Sequence, residues 1–171
     1  MKIAILKKTR YWLCRLLEYG LIIAMAVLVL DVLWGVFTRF VLGGQAKWTE
    51  ELARFLLVWV ALLGGALAFG ENAHLGVDYF VGKLAPEARK LVKVFTQFIV
   101  LFFAIAVFII GGTQVVSANM DQTTAALTPA VGITMGHVYL ALPIAGAFMI
   151  LFTAEQLAET FLEKDQQKEE N

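Results

Sequence analysis

Residues 16–40 read LLEYGLIIAMAVLVLDVLWGVFTRF, twenty-five positions interrupted by charge only at Glu18 near the start, Asp31 deeper in and Arg39 at the end. A bilayer core of about 30 Å is crossed by about 20 apolar residues of helix. In lipid the backbone must satisfy its own hydrogen bonds, so this stretch predicts a helix rather than a strand. Three more stretches have the same character: 52–69, broken by Arg54 in its first turn; 91–116, with Lys93 near its start; and 136–157, with Pro143 inside and Glu155 near its end. The fold class expected is therefore an all-α integral membrane protein of four transmembrane helices, forming a single membrane domain over residues 1–171.

The composition agrees. Of 171 residues 60% are hydrophobic and 16% charged, against roughly 45–50% and about 25% in a soluble domain. That excludes disorder, a disulfide scaffold and a typical soluble enzyme. Lys2, Lys7, Lys8 and Arg10 resemble the basic start of a signal peptide. The apolar run that follows is longer than a signal's ~7–15 residues and has no small-residue cleavage site, so it reads as an uncleaved span. Cys14 is the one cysteine, which excludes an intrachain disulfide and paired-thiol redox chemistry.

The net charge of zero conceals an asymmetry. The N-terminal segment, the segment between spans 2 and 3 and the tail hold eleven of the fourteen cations, and the opposite side holds Arg39, Lys47 and Arg54. The positive-inside rule then places both termini in the cytoplasm. With no basic excess, no nucleic-acid partner is expected.

The connections carry further signals. Thr49 reads as the N-cap of span 2, with Glu50 and Glu51 in a first turn that favours acids. Arg54 follows them at i+4 and i+3, the spacing of an ion pair on one helix face. Trp48 suits the membrane–water interface. Val77, Phe80, Val81 and Leu84 share one helix face, predicting a short amphipathic helix over about 75–85 lying on the bilayer surface. Pro86 starts the helix leading into span 3. Thr128-Pro129 marks a turn or helix start, Pro143 a kink, and residues 163–171 a polar tail that frays. Ala61, Gly64, Gly65, Ala68, Gly111, Gly112, Ala141, Ala145 and Gly146 form small-residue stripes suited to close helix packing or to a partner protein.

Candidate chemistry is sparse. Asp31 lies about 22 Å along the helix from Leu16 at 1.5 Å per residue, in the outer half of its span. An intramembrane acid is a functional candidate by default. Its readings stay open: a local partner such as Arg54 or backbone, protonation, a coupling-ion or proton site, or contact with another subunit. His74 and His137 fall near opposite faces, so they cannot share a metal or haem. No metal-ligand spacing, phosphate loop or nucleophile motif is present. No catalytic residue, cofactor or metal is expected, and the chain is not read as an enzyme.

Read in order, Arg39-Phe40, Trp48-Thr-Glu-Glu-Leu-Ala-Arg54-Phe55, Val58-Trp59, Leu63-Gly64, His74-Leu-Gly-Val-Asp78, Thr128-Pro129, Ile133 and Tyr139-Leu-Ala-Leu-Pro143 resemble the small, DctQ-like membrane subunit of tripartite ATP-independent periplasmic (TRAP) transporters. The resemblance covers about residues 16–155. It implies a bacterial inner-membrane system importing an organic acid, of the sialic acid or C4-dicarboxylate class, on a sodium gradient. It implies as partners a large multi-span membrane subunit, a transient periplasmic substrate-binding protein and phospholipid. The small subunit would support the large one without carrying substrate, as a polypeptide separate from it. Arg39, Trp48, Glu50, Glu51, Arg54, Trp59, His74, Asp78, Tyr139 and Pro143 would make fold or subunit contacts, and nothing carries over to Asp31. The alternatives are an autonomous four-span proton-coupled exporter acting as a homodimer, and a membrane enzyme or haem subunit.

Overall fold

The computed structural model describes residues 2–44, 46–71 and 86–169. The helices α1 (Lys2–Val41) and α2 (Lys47–Gly70) are followed by a third rod in three parts: α3 (Pro86–Phe103), a π-helical stretch (Ala104–Gly111) and α4 (Gly112–Asn119). The short helices α5 (Leu127–Val131) and α6 (Met135–Tyr139) lead into α7 (Ala141–Glu169). Four helical segments are long and apolar enough to cross a membrane: Lys8–Val41, Lys47–Gly70, Val94–Asn119 and Met135–Ala158. These match the four expected spans, with starts up to eight residues earlier in the first.

Two apolar clusters hold the bundle. At the end that carries both termini, Leu17 of α1, Phe69 of α2 and Phe152 of α7 pack together. Arg10 Nε donates to the Gly70 carbonyl at 2.8 Å there, occupying one of the acceptors that a helix C-terminus leaves open. At the other end Phe55 of α2, Leu127 of α5 and Val138 of α6 form the second cluster. Between them the helix contacts run α1 to α2, α2 to α7, and α7 to the π-helical stretch. A Cβ on Gly146 of α7 would stand 2.5 Å from the Phe108 Cβ, so these two rods meet at backbone distance, as small residues allow in lipid.

The structure departs from expectation at four places. Thr49 does not cap α2: the helix begins at Lys47 after an extended Ala46, and the Thr49 hydroxyl instead donates to the Ala46 carbonyl at 2.7 Å. Thr49 is buried against Gly35 of α1, whose missing side chain makes room for it. The interruption expected at Pro143 falls three residues earlier, at Leu140, which leaves Pro143 in the first turn of α7, where its missing N–H breaks no helical bond. Residues 163–169, expected as a polar tail, are helical as the end of α7, as their Glu, Lys and Gln content and lack of Gly or Pro allow. The π-helical stretch has no counterpart in the sequence reading. Where it returns to α-helical register, the Thr113 hydroxyl lies 2.8 Å from the Ile109 carbonyl and 3.0 Å from that of Ile110, and so serves acceptors that the register change disturbs. The expected surface helix over 75–85, with His74 and Asp78, lies outside the described residues.

Candidate functional site

The polar groups singled out from the sequence gather at the end of the bundle away from the termini. Gly43 adopts φ +74°, a left-handed conformation that glycine reaches without cost, and so turns the chain from α1 into α2. The first turn of α2 then presents two adjacent acids in different directions. Glu50 faces outward and pairs with Arg54 at 3.2 Å, an exposed i,i+4 ion pair. Glu51 points across the bundle instead of sharing Arg54. It accepts from three consecutive backbone N–H groups, those of Ala125 (3.0 Å), Ala126 (3.1 and 3.2 Å to its two oxygens) and Leu127 (3.0 Å). These amides open α5, so the carboxylate meets the unsatisfied donors and the positive end of the helix dipole.

Threonines close the same loop. The Thr124 amide donates to the Thr128 hydroxyl at 2.6 Å, and the Thr128 amide donates to the Thr124 hydroxyl at 2.8 Å. The Thr128 hydroxyl donates onward to the Ile133 carbonyl at 2.6 Å. His137 Nδ1 accepts from the Thr134 amide at 3.3 Å and lies 2.9 Å from its hydroxyl, at the start of α6. The Met135 amide donates to Gln122 at 3.0 Å and ties the two ends of the loop. The loop is therefore a folded cap seated on α2 through Glu51. Thr128-Pro129 announces its helix start, and the sequence singles out His137 as one of two histidines near opposite faces; Thr124 and Thr134 carry no individual signal.

Beside this cap, α1 and α2 flank a half-open cleft of about 250 Å³ lined by Asp31, Val32, Gly35, Val36, Arg39, Phe40, Thr49, Glu50 and Ala53. Asp31 is 5% exposed. Neither of its carboxylate oxygens has a hydrogen-bond partner among the described residues. Arg54, a partner considered from the sequence, is engaged with Glu50, and the Arg39 guanidinium lies over the Phe40 ring at 5.8 Å. Trp48 is 40% exposed at the rim of the bundle, as an interfacial anchor requires. Trp59, Tyr139 and Pro143 are half-buried within their helices, away from the cleft lining. The structure thus places Asp31, Arg39 and Glu50 along one cleft, while Glu51 turns from it towards α5. Among the described residues no three His, Cys, Asp or Glu side chains converge as metal ligands would. What the arrangement offers is charge compensation, hydrogen bonding and a lateral opening.

Residues 28–163 match the family model described as tripartite ATP-independent periplasmic transporters, DctQ component. The chain is 31% identical over 133 residues to the sialic acid TRAP transporter small permease protein SiaQ of Vibrio cholerae, covering 78% of this chain and 74% of that protein. It is 28% identical to a putative TRAP transporter small permease protein of Haemophilus influenzae, covering 91% and 93%. It is also 27% identical over 115 residues to the sialic acid TRAP transporter permease protein SiaT of Haemophilus influenzae, where 67% of this chain aligns with only 18% of the longer protein.

Proposed function

Since this chain belongs to the DctQ component family of tripartite ATP-independent periplasmic transporters, a multi-pass inner-membrane transporter component rather than an enzyme, we propose that it is the scaffold of a large transport subunit. In this reading it carries no substrate itself. It widens the large subunit's fixed frame in the bilayer. Both termini lie in the cytoplasm, and the Glu51-anchored loop faces the periplasm, where a substrate-binding protein docks transiently. Transport is coupled to a sodium gradient, and the solute is an organic acid, with a sialic acid favoured over a C4-dicarboxylate.

The observation that carries this reading is the alignment with less than a fifth of the longer SiaT permease. In that relative a small-permease-like segment and a much longer remainder are one polypeptide, which supports a permanent association of the two here. The first span agrees with it: Ile23, Leu30, Leu33 and Phe40 are more than half exposed within the chain and need lipid or protein to cover them. The relative named for sialic acid supports the choice of solute.

The test is reconstitution. The chain, its large subunit and its binding protein are assembled in vesicles, and uptake of a sialic acid is followed with and without an inward sodium gradient. Uptake requiring all three proteins and the gradient is expected. Uptake by this chain alone, or co-purification in mild detergent without any multi-span partner, overturns the scaffold reading.

A further inference from the structure

The cleft between α1 and α2 holds a buried carboxyl group both of whose oxygens lack a partner among the described residues. Asp31 lies ten residues before the end of α1, about 15 Å from it at 1.5 Å per residue, and therefore at hydrocarbon depth. A carboxylate buried without donors is costly, and in hydrocarbon water does not relieve it. Its neighbours on the helix face explain the burial: Asp31, Gly35 and Thr38 follow at i, i+4 and i+7 and all turn towards α2, where Thr49 is seated against Gly35. The nearby hydroxyls are spent, Thr38 donating to the Gly35 carbonyl at 3.0 Å and Thr49 to that of Ala46. Arg39 is two turns further along the helix, about 12 Å of rise, beyond the reach of its own side chain. Val32 and Val36, each about half exposed, line the cleft on one flank of α1.

Protonation removes the charge but still leaves the carboxyl oxygens without a partner, so three occupants answer this acid at that depth: a cation, a lipid headgroup or a side chain from another helix. A bare cation needs six or so oxygen ligands, and Asp31, Thr49 and Glu50 are too few and too spread along two helices to supply them. A lipid headgroup belongs at the interface rather than about 15 Å below the helix end. A transmembrane helix brings a donor to that level at no such cost. The small side chain of Ala53 and the modest Val32 and Val36 let it approach closely.

We propose that the Asp31 cleft is the seat of a hydrogen-bond-donating side chain, Lys, Arg, Ser, Thr, Asn, Gln or Tyr, projected by a membrane-spanning helix of the large transport subunit. This rests on the scaffold reading and fixes its orientation: the flank of α1 bearing Val32 and Val36 faces the large subunit, and the flank bearing Leu30 and Phe37 does not. Asp31 is a positioning residue of the complex and touches no substrate.

The experiment uses the full complex in membranes. A benzophenone amino acid is placed at Val32, Val36 or Leu30, the cells are irradiated, and the complex is purified through the large subunit. Adducts of small and large subunit are expected at Val32 and Val36 and not at Leu30. In parallel, Asp31→Leu is expected to weaken retention of the large subunit in detergent by roughly three- to twentyfold, the range of an interhelical hydrogen bond in a membrane, while Asp31→Asn retains more. If the wild-type chain retains its large subunit but Val32 and Val36 link only to lipid or to a second copy of this chain, the proposed occupant is wrong. Adducts at both positions with Asp31→Leu retained as wild type overturn the role of the carboxylate. A wild-type chain that retains no large subunit at all removes the scaffold reading and this proposal together. Because the photoprobe variants keep Asp31, the first result stands even where Asp31→Leu fails to fold.

Discussion

The Glu51 carboxylate and the Ala126 amide are 75 positions apart in the chain and 3.1 Å apart in space. Two neighbouring amides donate to the same group. One side chain on the first turn of α2 thereby holds a loop of more than a dozen residues on the bundle. A neutral residue of similar size keeps an acceptor but loses the charge that makes such bonds strong. In Glu51→Gln the amide exchange of Ala125, Ala126 and Leu127 is expected to rise moderately, and in Glu51→Ala by roughly tenfold or more. Hydrogen exchange of the purified complex measures this, and unchanged exchange in Glu51→Ala would mean that the threonines alone order the loop.

Its neighbour Glu50 gives the contrasting case. The Glu50–Arg54 pair is more than 60% exposed on both sides. Exposed i,i+4 pairs contribute about 0.3–0.5 kcal/mol. A double-mutant cycle of Glu50→Ala and Arg54→Ala, read as thermal stability in detergent, is expected to return a coupling in that range, falling with added salt. A coupling several times larger, insensitive to salt, would place this face against protein instead of solvent.

The difference between these two acids also says what the sequence can and cannot carry. The i,i+4 spacing of Glu50 and Arg54 is a fixed property of a helix, so their pair is legible from the chain. The partners of Glu51 are backbone amides, which every residue possesses, so nothing in the sequence of 125–127 announces them. The four spans are legible because a run of about 20 apolar side chains can lie in lipid only if its polar backbone bonds to itself, as a helix does. The π-helical stretch is not: Ala104–Gly111 reads AIAVFIIG, whose terminal glycine does not by itself announce a change of register, and Phe108 and Gly112 there lie against α7. Small residues on spans 3 and 4 identify faces that pack closely, but they do not say which residue meets which. Asp31 is legible as unusual, while the lack of donors to its own carboxylate needed the positions of Gly35 and Thr49.

The contact between spans 3 and 4 can be tested through its tightest point. A methyl group on Gly146 would overlap the Phe108 Cβ, and backbone shifts of the kind needed cost about 1–3 kcal/mol. Gly146→Ala is therefore expected to lower the melting temperature of the detergent-solubilised protein. Adding Phe108→Gly removes the Cβ that the new methyl would meet, so the double variant should lose less than the two single losses added. Strict additivity would show that the two helices do not approach as closely as the structure has them.

Orientation in the bilayer follows from a different kind of argument, the distribution of cations. Eleven of fourteen Lys and Arg lie on the side of the termini and the segment joining spans 2 and 3. The loop between α4 and α6 has none and is ordered by Glu51 and threonines. Translocating the cation-rich side across the membrane would oppose the bias that sets topology in bacteria. The single native thiol makes the measurement clean. In a Cys14→Ser background, Thr123→Cys on the loop is exposed and Lys8→Cys marks the terminal end. A membrane-impermeant maleimide added to spheroplasts is expected to label position 123 at once and position 8 only after lysis. The reverse pattern would turn the Glu51 loop to the cytoplasm, and a periplasmic binding protein then has no route to it.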